Sequence, residues 1–379
     1  MTRIGRWAAA CLAAVVLSAV FAACGDDDSE PSSSEPAKTE AASDSGGSND
    51  ALEKAKAEIT EFPGPSSSPA PEGGKEVVVV TCAAVANCQR TADGAVEAGE
   101  VLGWNVRVVD GKGDPAVWNA AIGTAIADKA DGIILAAVVP PLVANAVTQA
   151  KAAKIPVVSV WLPSAIPGTP EGTVYGWVEP PLAEEGKTMA DWVIEDSGGE
   201  AKIVQLVEPA FPDIKIRDDA FAAQIKSACQ GCEILETVKF SLATEAQELP
   251  QAVVSALQKN PTADYVVAPF DNAALFAAQG IGQAGKGGSV KLVGYEGEAD
   301  ALGRIRDGQG QVADIAHSGQ WTGFQAMDLL NRAFAGEEPI NLPIASRLFD
   351  STNIDSIEFE KGWQGDVDFR GRYAELWGK

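Results

Sequence analysis

Residues 132–160 read GIILAAVVPPLVANAVTQAKAAKIPVVSV. Two short apolar runs, 132–137 and 155–160, flank a stretch at 142–153 that reads as a helix. A strand that is apolar at every position offers no face to water, so it belongs in a parallel sheet covered on both sides. Joining two such strands through a helix requires a crossover, which is right-handed in nearly all folds. This one segment therefore predicts a doubly wound α/β layer.

The alternation continues in both directions. Upstream lie VVVV (77–80), an amphipathic stretch at 89–102, WNVRVV (104–109) and a helical pattern at 114–129. Downstream, strands are predicted at 201–207, 234–240, 264–269, 290–296 and 311–317. Helices are predicted between them at about 183–196, 213–228, 245–259, 271–284 and 298–307, with a long one at about 320–335 and a last strand near 344–349. Two such series are too many strands for one ordinary sheet, so the chain is read as two α/β lobes. Ligands of open α/β sheets sit beyond the carboxyl ends of the strands. Two lobes facing each other then make a cleft that hinge closure can seal.

The first 75 residues read differently. Arg3 and Arg6 precede an apolar run at 7–23, the order of a secretory signal peptide. It ends in Phe21-Ala22-Ala23-Cys24, which resembles the lipobox of bacterial lipoproteins, with Phe21 in place of the usual leucine. That resemblance implies a diacylated Cys24 at the mature N-terminus and attachment to the outer face of the cell membrane, where acyl chains give stable anchoring. Residues 24–75 carry twelve acids against four lysines among Ser, Pro and Gly. Such a segment is expected to be a disordered tether, interrupted at most by a short helix at 51–62.

The whole chain of 379 residues has 53 acidic and 29 basic side chains, a net charge of −24, and a single histidine. That charge repels phosphate backbones and argues against nucleic-acid binding. One histidine leaves no His-rich metal site. Beyond Cys11 and Cys24, four cysteines form two close pairs, Cys82 with Cys88 and Cys229 with Cys232. In an exported protein these read as disulfides. A redox motif or half a zinc site are alternatives for Cys229-Gln-Gly-Cys232. That pair falls at a predicted helix end, where no macrodipole favours a thiolate.

EVVVVTCAAVANCQRTADGAVEAGEVLGW (76–104), the run 114–160 and the run 266–317 together resemble type I periplasmic substrate-binding proteins of the ribose and galactose group. The resemblance covers about 76–350. It implies two doubly wound parallel-sheet lobes joined by a hinge of three strands. The crossings fall near 177–181, 317–319 and 348–351. The first lobe then comprises 76–177 and 318–348, the second 178–317 and 349–379. The family implies a soluble receptor of an ABC importer, with a permease as partner and no cofactor, and a monomer is the expectation.

Ligand contacts in this family come from strand-end loops. Carried over by position, they fall on Asn87 after the first strand, Val138 after the third, and Trp161 after the fourth. In the second lobe they fall on Phe211, Lys215 or Arg217, Phe270, Asp271 and Glu296, then His317 and Trp321 at the hinge. The paired charges that grip sugar hydroxyls in the family are replaced by Trp161-Leu162-Pro163. Each unpaired buried polar group costs about 1–3 kcal/mol. The expected ligand is therefore sugar-like or has an apolar or aromatic face, with a cation held by Glu296 as a further option. Asp271 has an alternative role as a helix cap, and Trp161 and Phe270 as plain wall.

GIGQAGKGG (280–288) imitates a phosphate loop, but it follows a helix and precedes a strand, the reverse of what phosphate binding needs. No nucleophile elbow, metal trio or kinase motif is present, so the expectation is a binding protein and not an enzyme. The alternative is a ligand sensor coupled to a membrane signalling partner.

Overall fold

The computed structural model describes residues 45–379 apart from Ala165. The expected signal peptide, the lipidation of Cys24 and the tether up to residue 44 lie outside the described residues.

The chain opens with α1 (Ser45–Lys56) and then builds the first lobe. That lobe holds β1 (Glu76–Thr81), α2 (Ala86–Leu102), β2 (Asn105–Asp110), α3 (Pro115–Ala127), β3 (Gly132–Ala136), α4 (Ala144–Ala152), β4 (Val157–Val160) and β5 (Gly176–Val178). Its strands are all parallel, in the order β2-β1-β3-β4-β5. Val77 to Val80 and Ile133 to Ala136 are buried on both faces, as their unbroken apolar sequence demands. Local signals set the helix ends. Asp114 accepts a hydrogen bond from the Ala116 N–H with Pro115 in the first turn, and Gly103 ends α2 at a φ of 74°.

The second lobe follows with α5 (Leu182–Asp196), β6 (Lys202–Val207), α6 (Pro212–Ala228), β7 (Glu233–Lys239) and α7 (Glu245–Lys259). It continues through β8 (Tyr265–Val267), α8 (Asp271–Gln283), β9 (Lys291–Glu296), α9 (Ala299–Arg306) and β10 (Gln311–His317). Its sheet order is β11-β10-β9-β8-β6-β7, where β11 (Ser346–Asp350) runs antiparallel to β10 and every other pair is parallel. The expected fold class, two doubly wound parallel-sheet lobes, is the observed one. The predicted cysteine partners lie side by side, Cys82 with Cys88 and Cys229 with Cys232, and the second pair stands at a disulfide distance of 2.03 Å.

Between β10 and β11 the chain returns to the first lobe as α10 (Gly319–Ala335), which packs along α2. The two helices approach closely because Gly94 and Gly323 face the crossing. A Cβ on Gly94 would overlap the Gln320 carbonyl, and one on Gly323 would overlap the Ala95 nitrogen.

Two expected boundaries are corrected. The first is the assignment of 349–379 to the second lobe. The chain enters that lobe's sheet already at Ser346, and α11 (Phe369–Leu376) leaves it again. Phe369, Tyr373 and Trp377 join a first-lobe core with Val77, Trp321 and Phe324, and Phe369 stacks on Trp321 at 5.3 Å. The aromatic face of α10 is large, and these three rings cover it. The second is the expected tether of 24–75, whose described part, from residue 45 on, is docked on the lobes. Leu52 is 2% exposed in the second-lobe core beside Met189 and Phe221. Lys56 pairs with Asp350 at 2.8 Å. Phe62 then stacks on Trp321 at 5.7 Å in the first lobe, and Trp104 donates to the Glu72 carbonyl at 2.7 Å. A few apolar anchors in a polar segment are enough to dock it, although the averaged composition hides them. Among the described residues, no helix is long and apolar enough to cross a membrane.

Candidate functional site

The two sheets turn their strand carboxyl ends toward one cavity. It encloses about 620 Å³ of atom-free space, including its mouth open to solvent. The first lobe contributes Cys82 and Cys88, Val85 and Asn87 after β1, Ala137 after β3, and Trp161 after β4. The second contributes Phe211, Asp213, Ile214 and Arg217 from the start of α6, Phe270 and Asn272 at α8, and Glu296 at the end of β9. His317, at the second crossing, and Pro180 and Leu182, at the first, close the hinge side. Beside the cavity one apolar cluster spans both lobes, with Val139, Leu162, Ile166 and Trp177 from the first and Phe211, Phe240 and Phe270 from the second.

Three wall residues hold backbone conformations that L side chains rarely adopt. Ala137 has a φ of 53°, Trp161 of 78° and Glu296 of 110°. Each sits where a strand ends and the chain turns sharply to aim its side chain. Left-handed backbone at a non-glycine residue costs about 1–3 kcal/mol and concentrates at binding sites, where surrounding packing over-determines it.

Trp161 is fixed by more than its backbone. Its Nε1 donates to Thr91 Oγ1 at 2.9 Å, and Thr91 shares a hydrogen bond with Thr322 at 3.1 Å. Its ring meets the His317 ring edge-on at 5.3 Å. His317 is fully buried, and its Nε2 lies 2.7 Å from Glu185 Oε1. Glu185 Oε2 accepts from Arg217 Nη1 at 3.4 Å. Arg217 also donates to the Pro269 carbonyl, and its guanidinium lies 4.0 Å over the Tyr295 ring. Burial works to raise the Glu185 pKa, but His317 and Arg217 outweigh it and hold the group below the ordinary carboxylate value.

The other acids are less well matched. Asp213 and Glu296 keep part of their surface open while dense protein surrounds them. Burial pushes Asp213 up to about 6, with Arg217 opposing. Burial, then the like charges of Glu298 and Asp271, pushes Glu296 well above the usual range; Arg217 and Arg90 offset only part of this. Several buried polar atoms at the cavity have no protein partner: Asn87 Oδ1, Asp213 Oδ1, His317 Nδ1 and Arg217 Nε. Among the described residues, no group of three or more His, Cys, Asp or Glu could hold a metal ion.

Of the residues expected at a ligand site, Asn87, Trp161, Phe211, Phe270, Glu296 and His317 line this cavity. Four do not. Val138 is fully buried behind the first sheet with Trp118 and Leu135. Trp321 lies between Phe62 and Phe369, one turn past the hinge and pointing into the first-lobe core. Asp271 turns away to accept from the Glu298 N–H at 2.8 Å and so braces the β9–α9 turn. Lys215 is exposed and pairs with Asp219 at 2.5 Å. Helical spacing explains the last: 213, 214 and 217 share one face of α6, and 215 and 219 share another. The sequence reading named Arg217 only as an option and missed Asp213 and Asn272. It missed Glu185 entirely, because nothing local marks a buried glutamate in the first turn of α5.

The family pattern described as a periplasmic binding protein domain matches residues 77–338. The ribose import binding protein of Salmonella typhimurium is 24% identical over 247 residues, which cover 65% of this chain and 80% of that protein. Among solved structures, a sugar ABC transporter protein from Yersinia enterocolitica superimposes with a TM-score of 0.70 at 21% identity, over 83% of this chain and 99% of that one. A solute-binding protein from Burkholderia graminis in complex with D-arabinose superimposes with a TM-score of 0.68 at 16% identity, over 76% and 99% of the two chains.

Proposed function

The chain belongs to the periplasmic binding protein family, and from that premise we propose that it is an extracytoplasmic solute-binding lipoprotein of an ABC importer. It captures a small molecule between its lobes and hands it, unaltered, to a membrane permease. The carrying observation is the cavity itself, set at the carboxyl ends of both sheets and walled by residues of both lobes. A ligand that touches both walls binds the closed arrangement more tightly than the open one, and so shifts the population toward it. The closed outer surface is then what a permease would recognise. The relatives that carry ribose and arabinose in their names support a sugar-like solute.

The wall chemistry narrows the ligand. Trp161, Phe211, Phe270, Leu182, Ile214 and Leu242 give apolar faces, and the polar groups are few. A solute with one flat or apolar face and a small number of polar handles fits better than a small, fully hydroxylated ring, which would leave hydroxyls unpaired. A modified sugar stacked on Trp161 belongs to the same class. Thermal denaturation across sugars, polyols, aromatic acids and amines tests the reading. A ligand of the folded state raises the melting temperature by an amount that grows with the logarithm of its concentration over its dissociation constant. Chemical conversion of any stabilising compound by the purified protein would overturn the reading.

A further inference from the structure

We infer that the solute held by this cavity carries a protonated amine on an apolar or aromatic body, with the ammonium seated against Glu296 and Asn87. The inference rests on the solute-binding reading and names the class of solute. It starts from where the charges go. Each basic side chain at the cavity already has a counter-charge, although Arg217 Nε and His317 Nδ1 stay without a partner. Arg217 is spent on Glu185, the Pro269 carbonyl and the Tyr295 ring. His317 is held by the same Glu185. Arg90 pairs with Glu298 at 2.9 Å and touches Glu296 only through its backbone carbonyl.

Glu296 and Asp213 are left over. Among the described residues neither carboxylate forms an ion pair, and the Glu296 side chain has one neutral donor, Asn87 Nδ2 at 3.2 Å. Asn87 itself is 5% exposed, and its Oδ1 accepts from nothing. Asp213 Oδ1 is likewise without a donor. The unmet demand at these acids is therefore for donors and positive charge. A sugar hydroxyl would supply donors but no charge, and an ammonium supplies both. The walls suit the same ligand, since the faces of Trp161, Phe211 and Phe270 attract a cation and pack against its apolar body. The high proton affinity of Glu296, forced by burial and by neighbouring acids, is the condition that a bound cation relieves.

The test uses the purified full chain, with calorimetry and thermal denaturation at neutral pH. The probes are 2-phenylethylamine, tyramine, choline and putrescine, each beside a neutral counterpart such as 2-phenylethanol, together with D-ribose and D-galactose. The expected result is that at least one amine binds at least tenfold tighter than its neutral counterpart. Glu296→Gln should remove that advantage, so that amine and neutral counterpart bind the variant alike. Asp213→Asn serves as the second variant should Glu296→Gln fold poorly, with a loss of amine affinity of several-fold expected. Equal affinity for amine and neutral counterpart, or amine binding indifferent to both substitutions, would overturn the inference. So would stabilisation by ribose or galactose with none by any amine, and in that case the solute-binding reading would stand. Absence of stabilisation by any compound in the panel or in the wider screen would sink both.

Discussion

Arg90, on the first-lobe helix α2, reaches across the hinge to Glu298 of the second lobe, donating from Nε at 3.0 Å and forming an ion pair whose closest approach is 2.9 Å. The same guanidinium donates to the carbonyls of Glu296 at 2.8 Å, His317 at 3.3 Å and Trp363 at 3.3 Å. One buried side chain thus ties α2 to β9, to the end of β10 and to the C-terminal segment. All its donor nitrogens are engaged in a fixed fork, which a lysine could not reproduce.

Removing Arg90 leaves Glu298 buried without its counter-charge. Breaking one partner of a buried pair costs about 3–5 kcal/mol. Arg90→Ala is expected to lose stability on that scale in urea titrations, and Arg90→Lys to recover only part of it. Small-angle scattering of Arg90→Ala should show a larger radius of gyration, because the latch spans the lobes. Wild-type dimensions and stability would show that the pair holds nothing together.

Trp161 tests the cavity. Trp161→Ala removes the largest first-lobe wall side chain and the Nε1 bond to Thr91. Its loss should weaken the best ligand found in screening more than tenfold, which is about 1.4 kcal/mol. Titration calorimetry reads this directly, and an unchanged dissociation constant would move the site elsewhere.

Acidification should stabilise the folded chain. Burial is the first cause that raises Asp218, Glu245 and Glu298, each to about 7, and Asp213 to about 6. A carboxyl whose folded pKa lies above its unfolded one favours folding while protonated. Its contribution is complete below the unfolded value and disappears as pH rises through the folded value. Glu185 and Asp350 are shifted downward, so their contributions are lost only in more acidic solution. Between pH 8 and pH 5 the raised groups dominate. The melting temperature is expected to rise on going from pH 8 to pH 5 by roughly 5 °C or more. A flat or falling profile would contradict the burial of these four acids.

The N-terminal strap has its own test. If residues 45–75 were a solvated tether, Leu52→Ala and Phe62→Ala would be silent. Leu52 fills a core among Met189, Trp192 and Phe221, and Phe62 packs between Trp321 and Tyr373. Leu52→Ala should cost about 3 kcal/mol and the half-buried Phe62→Ala about 2 kcal/mol. Chemical denaturation of the two single variants decides it.

The sequence by itself determined the two-lobed α/β architecture. Strands such as 77–80 and 132–137 are apolar at every position, and that pattern is satisfied only by a parallel sheet buried on both faces. It also placed the strand ends, and with them Asn87, Trp161, Phe270, Glu296 and His317, because a strand's carboxyl end is a local fact. The tertiary structure alone decided which way side chains turn and what distant segments cover. Lys215 and Arg217 are two residues apart on one helix, yet one faces water and the other Glu185 on the neighbouring helix α5. Trp321 looked like a cavity residue until Phe62 and Phe369, from opposite ends of the chain, enclosed it. Burial is a property of the whole packed body. A long-range partner leaves no mark on the local sequence, so neither the docked strap nor the buried Glu185 could be read before the fold was in hand.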